Sequence, residues 1–232
     1  MLYASVVTAV GLGLAYLLLT NRHQLESLPD VVPPKNPDGT ISRVLVPPDA
    51  ALPPGHVLAL GETRRFGDLL VTPLKVTREP LAFTHYRGEQ TREPAGEVLK
   101  LWLKLENVSD AGKSFVPLDA DLLFYRAPSP TGAYVLRANN FLAPAADRSP
   151  EALVGIYDHP PDSDWNLAGQ NLGVTLAPGE SVVMFVPTTA DPPNLAGPLA
   201  WRVHLRKGVA DSGWGVTTLV EVAFDPEAVQ RS

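Results

Sequence analysis

The sequence predicts an all-β chain, an antiparallel β-sandwich preceded by one N-terminal transmembrane helix. Three observations carry this. Residues Leu2 to Thr20 form an apolar run without a single charge. Residues 21–56 hold eight prolines. From Val57 onward, apolar and polar residues alternate at period two, with turn residues between the runs. The chain has 232 residues, 45% hydrophobic and 19% charged, which supports a packed domain plus an appendage and argues against global disorder.

The apolar run spans the bilayer if it is helical. Its 19 residues (LYASVVTAVGLGLAYLLLT) at about 1.5 Å rise give roughly 28 Å, close to the hydrocarbon thickness. A helix satisfies its own backbone in lipid, and Tyr3 lies at one edge, where an amphipathic ring is favoured. A cleaved signal peptide needs a basic stretch before the run and a small-x-small site after it. No Lys or Arg precedes Leu2, and Leu17-Leu18-Leu19-Thr20-Asn21-Arg22 makes a poor cleavage site. Arg22 and His23 lie just after the span and, taken alone, favour a cytoplasmic C-terminal side.

The prolines of residues 21–56 are Pro29, Pro33, Pro34, Pro37, Pro47, Pro48, Pro53 and Pro54. Proline removes backbone donors and fixes φ, so neither a helix nor a central strand runs through here. One short edge strand fits Ile41 to Val46. The stretch reads as an extended spacer, a stalk of up to roughly 100 Å if fully drawn out. The competing reading is a loop wrapped on the domain.

The domain itself, residues 57–226, is read strand by strand. Asp68 to Thr77 is a strand broken by Pro73, hence an edge or a bulge. Leu99, Leu101, Leu103 and Leu105 point one way, with Lys100, Trp102, Lys104 and Glu106 pointing the other. Leu122 to Arg126 and Tyr134 to Arg137 are shorter candidates. Ala177-Pro178-Gly179-Glu180 suits a type II turn, leading into Ser181 to Val186, which is apolar on both faces and so expected to be central. Leu199, Trp201, Val203 and Leu205 alternate with Ala200, Arg202, His204 and Arg206, and Val216 to Phe224 forms the last strand. Seven to nine short strands without a long amphipathic helix define the sandwich, with a closed barrel as the alternative. Two insertions interrupt it, at residues 84–97 and 138–171, the second with a short helix near Pro150 to Val154.

Three motifs extend this reading. The string Gly61-Glu62-Thr63-x-x-Phe66-Gly67-Asp68-Leu69-x-Val71-Thr72 opens the domain. Leu105-Glu106-Asn107-Val108-Ser109 ends a strand, and Leu176-Ala177-Pro178-Gly179-Glu180-Ser181 precedes a late one. Together they resemble a family of uncharacterised immunoglobulin-like domains of bacterial lipoproteins and membrane-anchored surface proteins, over roughly residues 57 to 224. The resemblance implies an immunoglobulin-like sandwich facing outside the cytoplasm, which outweighs the single arginine after the span. It brings no catalytic residues. The chain departs from the family in lacking a lipobox cysteine and in carrying the two insertions.

Composition removes several functions. The net charge is −6, which disfavours a nucleic-acid partner. With no cysteine there is no disulfide framework, thiolate nucleophile or Cys-ligated metal. The histidines, His23, His56, His85, His159 and His204, show no metal-ligand spacing, and His204 is expected on a solvated strand face. Asp211-Ser212-Gly213-Trp214-Gly215 lacks the first glycine of a nucleophile elbow and reads as a hairpin.

One segment stands out: Tyr157-Asp158-His159-Pro160-Pro161-Asp162-Ser163-Asp164-Trp165-Asn166. Asp162, Asp164 and Asn166 alternate like the start of a calcium loop, but Leu167 and Gly173 stand where its Gly and Glu belong. Trp102 between two lysines is a candidate contact for a sugar or peptide, or is simply covered. The candidate binding patch is therefore Trp102, Asp158, His159, Asp162, Asp164 and Asn166. The leading function is a non-enzymatic interaction or structural module at the cell envelope, with a protein or glycan partner and no cofactor, catalytic residue or metal assigned. The alternative is an envelope hydrolase or metal-dependent enzyme using Asp119, Asp121, Asp158, His159, Asp162 and Asp164.

Overall fold

The computed structural model describes residues 26–29, 45–88, 90–110, 112–123, 126–128, 134–136, 139–157 and 163–231. The expected membrane span, residues 2–20, lies outside them, as do residues 30–44. Among the described residues no helix is long and apolar enough to cross a membrane.

Alternation of apolar and polar residues makes the strands, and the chain is all-β as expected. In order they are β1 (Leu28–Pro29), β2 (Val57–Ala59), β3 (Arg64–Phe66), β4 (Leu69–Leu81), β5 (Phe83–His85), β6 (Ala95–Asn107), β7 (Arg126–Pro128), β8 (Tyr134–Leu136), β9 (Phe141–Pro144), β10 (Trp165–Leu167), β11 (Ser181–Pro187), β12 (Leu199–Val209), β13 (Gly215–Phe224) and β14 (Val229–Arg231). One sheet runs β11-β6-β4-β14, with β3 also on β4. A second runs β1-β13-β12-β9, with β2 also on β13. Leu99, Leu101, Leu103 and Leu105 of the first share one core with Trp201, Val203, Leu205, Val220 and Val222 of the second. Burying these two apolar faces against each other is the main source of stability, at about 25 cal/mol per Å² of apolar surface.

The turns follow from local chemistry. Gly179 has φ +82° and Glu180 N donates to Ala177 O at 2.9 Å, which is the expected type II turn. Asn107 is buried and donates to Lys113 O and Leu176 O, while its Oδ1 accepts from Ser109 N. The Ala210–Trp214 turn is the expected hairpin between β12 and β13.

Several expectations need correction. Two edge pairings, β2 with β13 and β14 with β4, are parallel rather than antiparallel. Neither is joined by a tight hairpin, so nothing forces the antiparallel sense. Pro73 does mark a bulge, where the β4–β6 register shifts between Pro73 and Lys75, but β4 is flanked on both sides. Ser181 to Pro187 is an edge strand, not a central one. It is apolar on both faces because Met184 and Val186 enter the main core while Phe185 faces a second cluster outside the sheet. Of the strand expected over Leu122 to Arg126, Leu122 and Leu123 lie instead in a helical turn, Ala120–Leu123, capped by Asp119 Oδ1 accepting from Leu122 N, and Arg126 opens β7.

The outer face of the second sheet is also covered. Arg202 and His204 are buried, at 1% and 2% exposure, against the expectation of a solvated face. Asn139 and Asn140 hydrogen-bond His204, and over Arg202 the cover is the proline-rich chain itself. Residues 45–56 run along the sheet, with Val46 packed on Leu28 and Leu219. Arg202 donates to the carbonyls of Pro47, Pro48 and Ala50 at 2.9, 3.0 and 3.2 Å. Farther back, Lys207 Nζ donates to Glu26 O and Ser27 Oγ, and Leu28 pairs with Thr217. Where it is described, the stretch expected to be a stalk lies on the domain. Proline is well suited to such a strap, because its carbonyl still accepts and it has no N–H to satisfy.

Candidate functional site

The two insertions meet. β5, from the first, pairs antiparallel with β10, from the second, matching His85 with Trp165, Thr84 with Asn166 and Phe83 with Leu167. The ladder continues at both ends, with Ala168 N donating to Ala82 O and Tyr86 N donating to Asp164 O, each at 3.0 Å. Thr, Phe, His and Trp favour this pleated form.

The ribbon is anchored by one side and exposed on the other. Leu167 buries with Leu81, Val98 and Phe185, and Phe83, Trp102 and Tyr157 pack around them. Above this layer His85 is buried edge-on against Trp165, with ring centroids 5.1 Å apart, and lies 5.0 Å from Tyr86. Tyr86 is 55% exposed, with the Arg87 guanidinium 5.0 Å from its ring, and Arg92 lies 3.9 Å above Phe83. Asp164 and Asn166 are exposed beside them. The result is an aromatic and cationic surface with flanking acceptors, suited to stacking a sugar ring or gripping an extended peptide.

The expected site residues divide. Asp164 and Asn166 stand on the ribbon. Trp102 lies beneath, half-buried, 5.0 Å from Phe185 and donating through Nε1 to Thr77 Oγ1 at 2.9 Å. It is part of the ribbon's footing. Asp158, His159 and Asp162 lie outside the described residues. Asp119 does not join the ribbon: its Oδ2 accepts from Arg206 at 3.0 Å and its Oδ1 caps the helical turn beside β12. Asp121 is exposed on that turn. Among the described residues no three His, Asp or Glu side chains stand together as a ligand set.

Sequence reasoning missed His85, Tyr86 and Trp165. The signal was an aromatic cluster in each insertion, Phe83-Thr84-His85-Tyr86 and the stretch around Trp165, but nothing local says that they pair.

No family model matches the chain, and no curated protein does either. A crystal structure of the YjhA protein from Bacillus subtilis is similar to it at 16% identity, covering 71% of this chain and 99% of that one, with a TM-score of 0.39. That likeness is too loose to define a shared fold.

Proposed function

We propose that this chain is a membrane-anchored, non-enzymatic interaction module at the cell envelope, an immunoglobulin-like β-sandwich outside the cytoplasm that engages a protein or glycan through the β5–β10 ribbon. The supporting observation is the pairing of the two insertions, which brings exposed Tyr86, Arg87, Asp164 and Asn166 together on one ribbon, with Trp165 half-buried against His85 behind them. Long insertions are costly to order, and these two, seated on the sheet through Leu167, turn their other side to solvent.

The anchor in this reading is residues 2–20. With Glu26 and Leu28 held by the domain, residues 21–25 alone bridge the gap, a reach of about 17 Å. The domain therefore rides close to the bilayer instead of standing far above it.

The test uses intact cells carrying the full chain with a C-terminal tag and a photo-crosslinking residue in place of Tyr86. External protease should remove the tag. Light should give a crosslink that is absent when the same residue replaces Leu74, an exposed side chain on β4. A protected tag, or identical crosslinks from both positions, would reject the reading.

A further inference from the structure

A cleft of about 200 Å³ opens where the two sheets approach each other beside β14, and no residue of the ribbon lines it. Its floor comes from both sheets, Leu99 of β6 and Leu199 of β12, with Val229 of β14 beside them. Its rim is polar and cationic: Arg78 of β4, Arg231 of β14 and Asn194 of the 188–198 loop. Arg78 and Arg231 are register partners in the parallel β4–β14 pair, so both side chains leave the ladder on the same face and enter the same cleft.

That pairing is unfavourable by itself. Like charges directly opposite across a ladder repel. Among the described residues the compensation is thin. Arg78 reaches Glu97 at 3.7 Å, and Glu97 is more than half exposed. Arg231 has no ion pair among the described residues. Arg202 and Arg206, by contrast, are closely paired, on Glu221 and Asp119. Two forked cations beside a small apolar surface define a site for an anion with a short apolar end. Planar guanidinium groups match a carboxylate two bonds at a time. The volume is below the roughly 300–1,000 Å³ of clefts that take drug-sized ligands, so the ligand is small.

We infer that this cleft binds a small carboxylate bearing a short aliphatic tail, the carboxylate held between Arg78 and Arg231 and the tail laid on Leu99 and Leu199. The inference is independent of the ribbon's function.

The experiment titrates the full chain, in detergent micelles, with butyrate, inorganic phosphate and butylammonium, following backbone amide shifts by NMR. Butyrate should give saturable shifts at Asn194, Leu199, Val229 and Arg231. Butylammonium should give none, and phosphate should bind about fivefold more weakly, since it leaves the small apolar surface of the cleft uncovered. Arg231→Gln should weaken butyrate about tenfold without moving the thermal midpoint, because Arg231 is exposed. Arg231→Lys should recover part of that loss. Equal binding of phosphate and butyrate, saturable binding of butylammonium, or unchanged butyrate affinity in Arg231→Gln would each overturn the inference.

Discussion

Arg202 and Glu221 face each other across the β12–β13 ladder, both buried, with Arg202 Nε donating to Glu221 Oε1 at 2.9 Å. Burial lowers the Arg202 pKa, and the Glu221 carboxylate works against that shift by holding the charge in place. The other Glu221 oxygen accepts from Arg148 at 3.1 Å. One carboxylate thus pairs with two guanidinium groups, and Arg202 directs its remaining donors at the proline-rich strap. Glu221→Gln removes the charge that both arginines share, and breaking such a buried pair costs about 3–5 kcal/mol. Urea unfolding at neutral pH measures the loss. Arg202→Met is predicted to loosen the strap as well, so a protease should cleave within residues 45–56 of this variant before it cuts the domain. Cleavage no faster than in the parent would show that the strap is held by its apolar contacts alone.

The ribbon is predicted to be a separable unit. Its main hold on the sheet is Leu167 inserted beside Leu81, Val98 and Phe185. Leu167→Ala removes buried methyl groups from a small cluster at a cost of about 2–4 kcal/mol. The effect should be local, because the main core does not include Leu167. Amide exchange at Tyr86 and Ala168 should quicken at least tenfold while Val203 exchanges as before. Uniform acceleration across both sheets would show instead that the ribbon unfolds only with the whole domain.

Acid should destabilise the protein through three surface carboxylates. The Ala59 amide, with Arg64 beside it, holds the Glu62 carboxyl below the usual range. The Ser149 amide does the same for Asp147, and Lys113 for Asp211. A carboxyl with a lowered pKa in the folded state binds protons less readily there than in the unfolded chain. Its stabilisation is complete above the ordinary carboxylate pKa of about 4 and fades as pH falls through the lower folded value. The contribution of these groups to the thermal midpoint should be flat from pH 7 to pH 5 and fall below about pH 4. In Asp147→Asn the side-chain oxygen still accepts from Ser149 but carries no charge, so the acid slope should become shallower. An unchanged slope would show that Asp147 has no part in it.

Legibility in the sequence tracks distance along the chain. The strand through Leu99–Leu105 and the Pro178-Gly179 turn are legible because period and turn chemistry are local. The buried outer face is not. Period two correctly puts Arg202 and His204 opposite Trp201, but Arg202 is covered by Pro47 and its neighbours, 155 residues away, and His204 is held by Asn139 and Asn140, 65 and 64 residues away. The same limit hides the candidate site: the acidic segment stands out by itself, whereas its β-partner Phe83–His85 lies in the other insertion. Ser181–Val186 misleads for a related reason, since a run apolar on both faces signals cover on both sides, and an insertion covers as well as a neighbouring strand does.

Gly67 joins the two sheets at one end, and its lack of a side chain is predicted to be required. It adopts φ +56° in the turn between β3 and β4. The next residue, Asp68, donates its amide to Lys207 O of β12 and accepts from Val108 N just beyond β6. A Cβ at Gly67 would lie 2.9 Å from that same Lys207 oxygen, which is backbone and cannot swing away. Gly61 supplies the control, for it has φ +82° with nothing within 4 Å of where a Cβ would stand. Gly61→Ala carries only the conformational penalty, about 1–2 kcal/mol. Gly67→Ala carries that penalty plus the displacement of a carbonyl that Asp68 needs, and the loss should exceed Gly61→Ala by about another 1 kcal/mol or more. Chemical denaturation of both variants decides it, and equal losses would show that the two sheets shift apart at this corner without resistance.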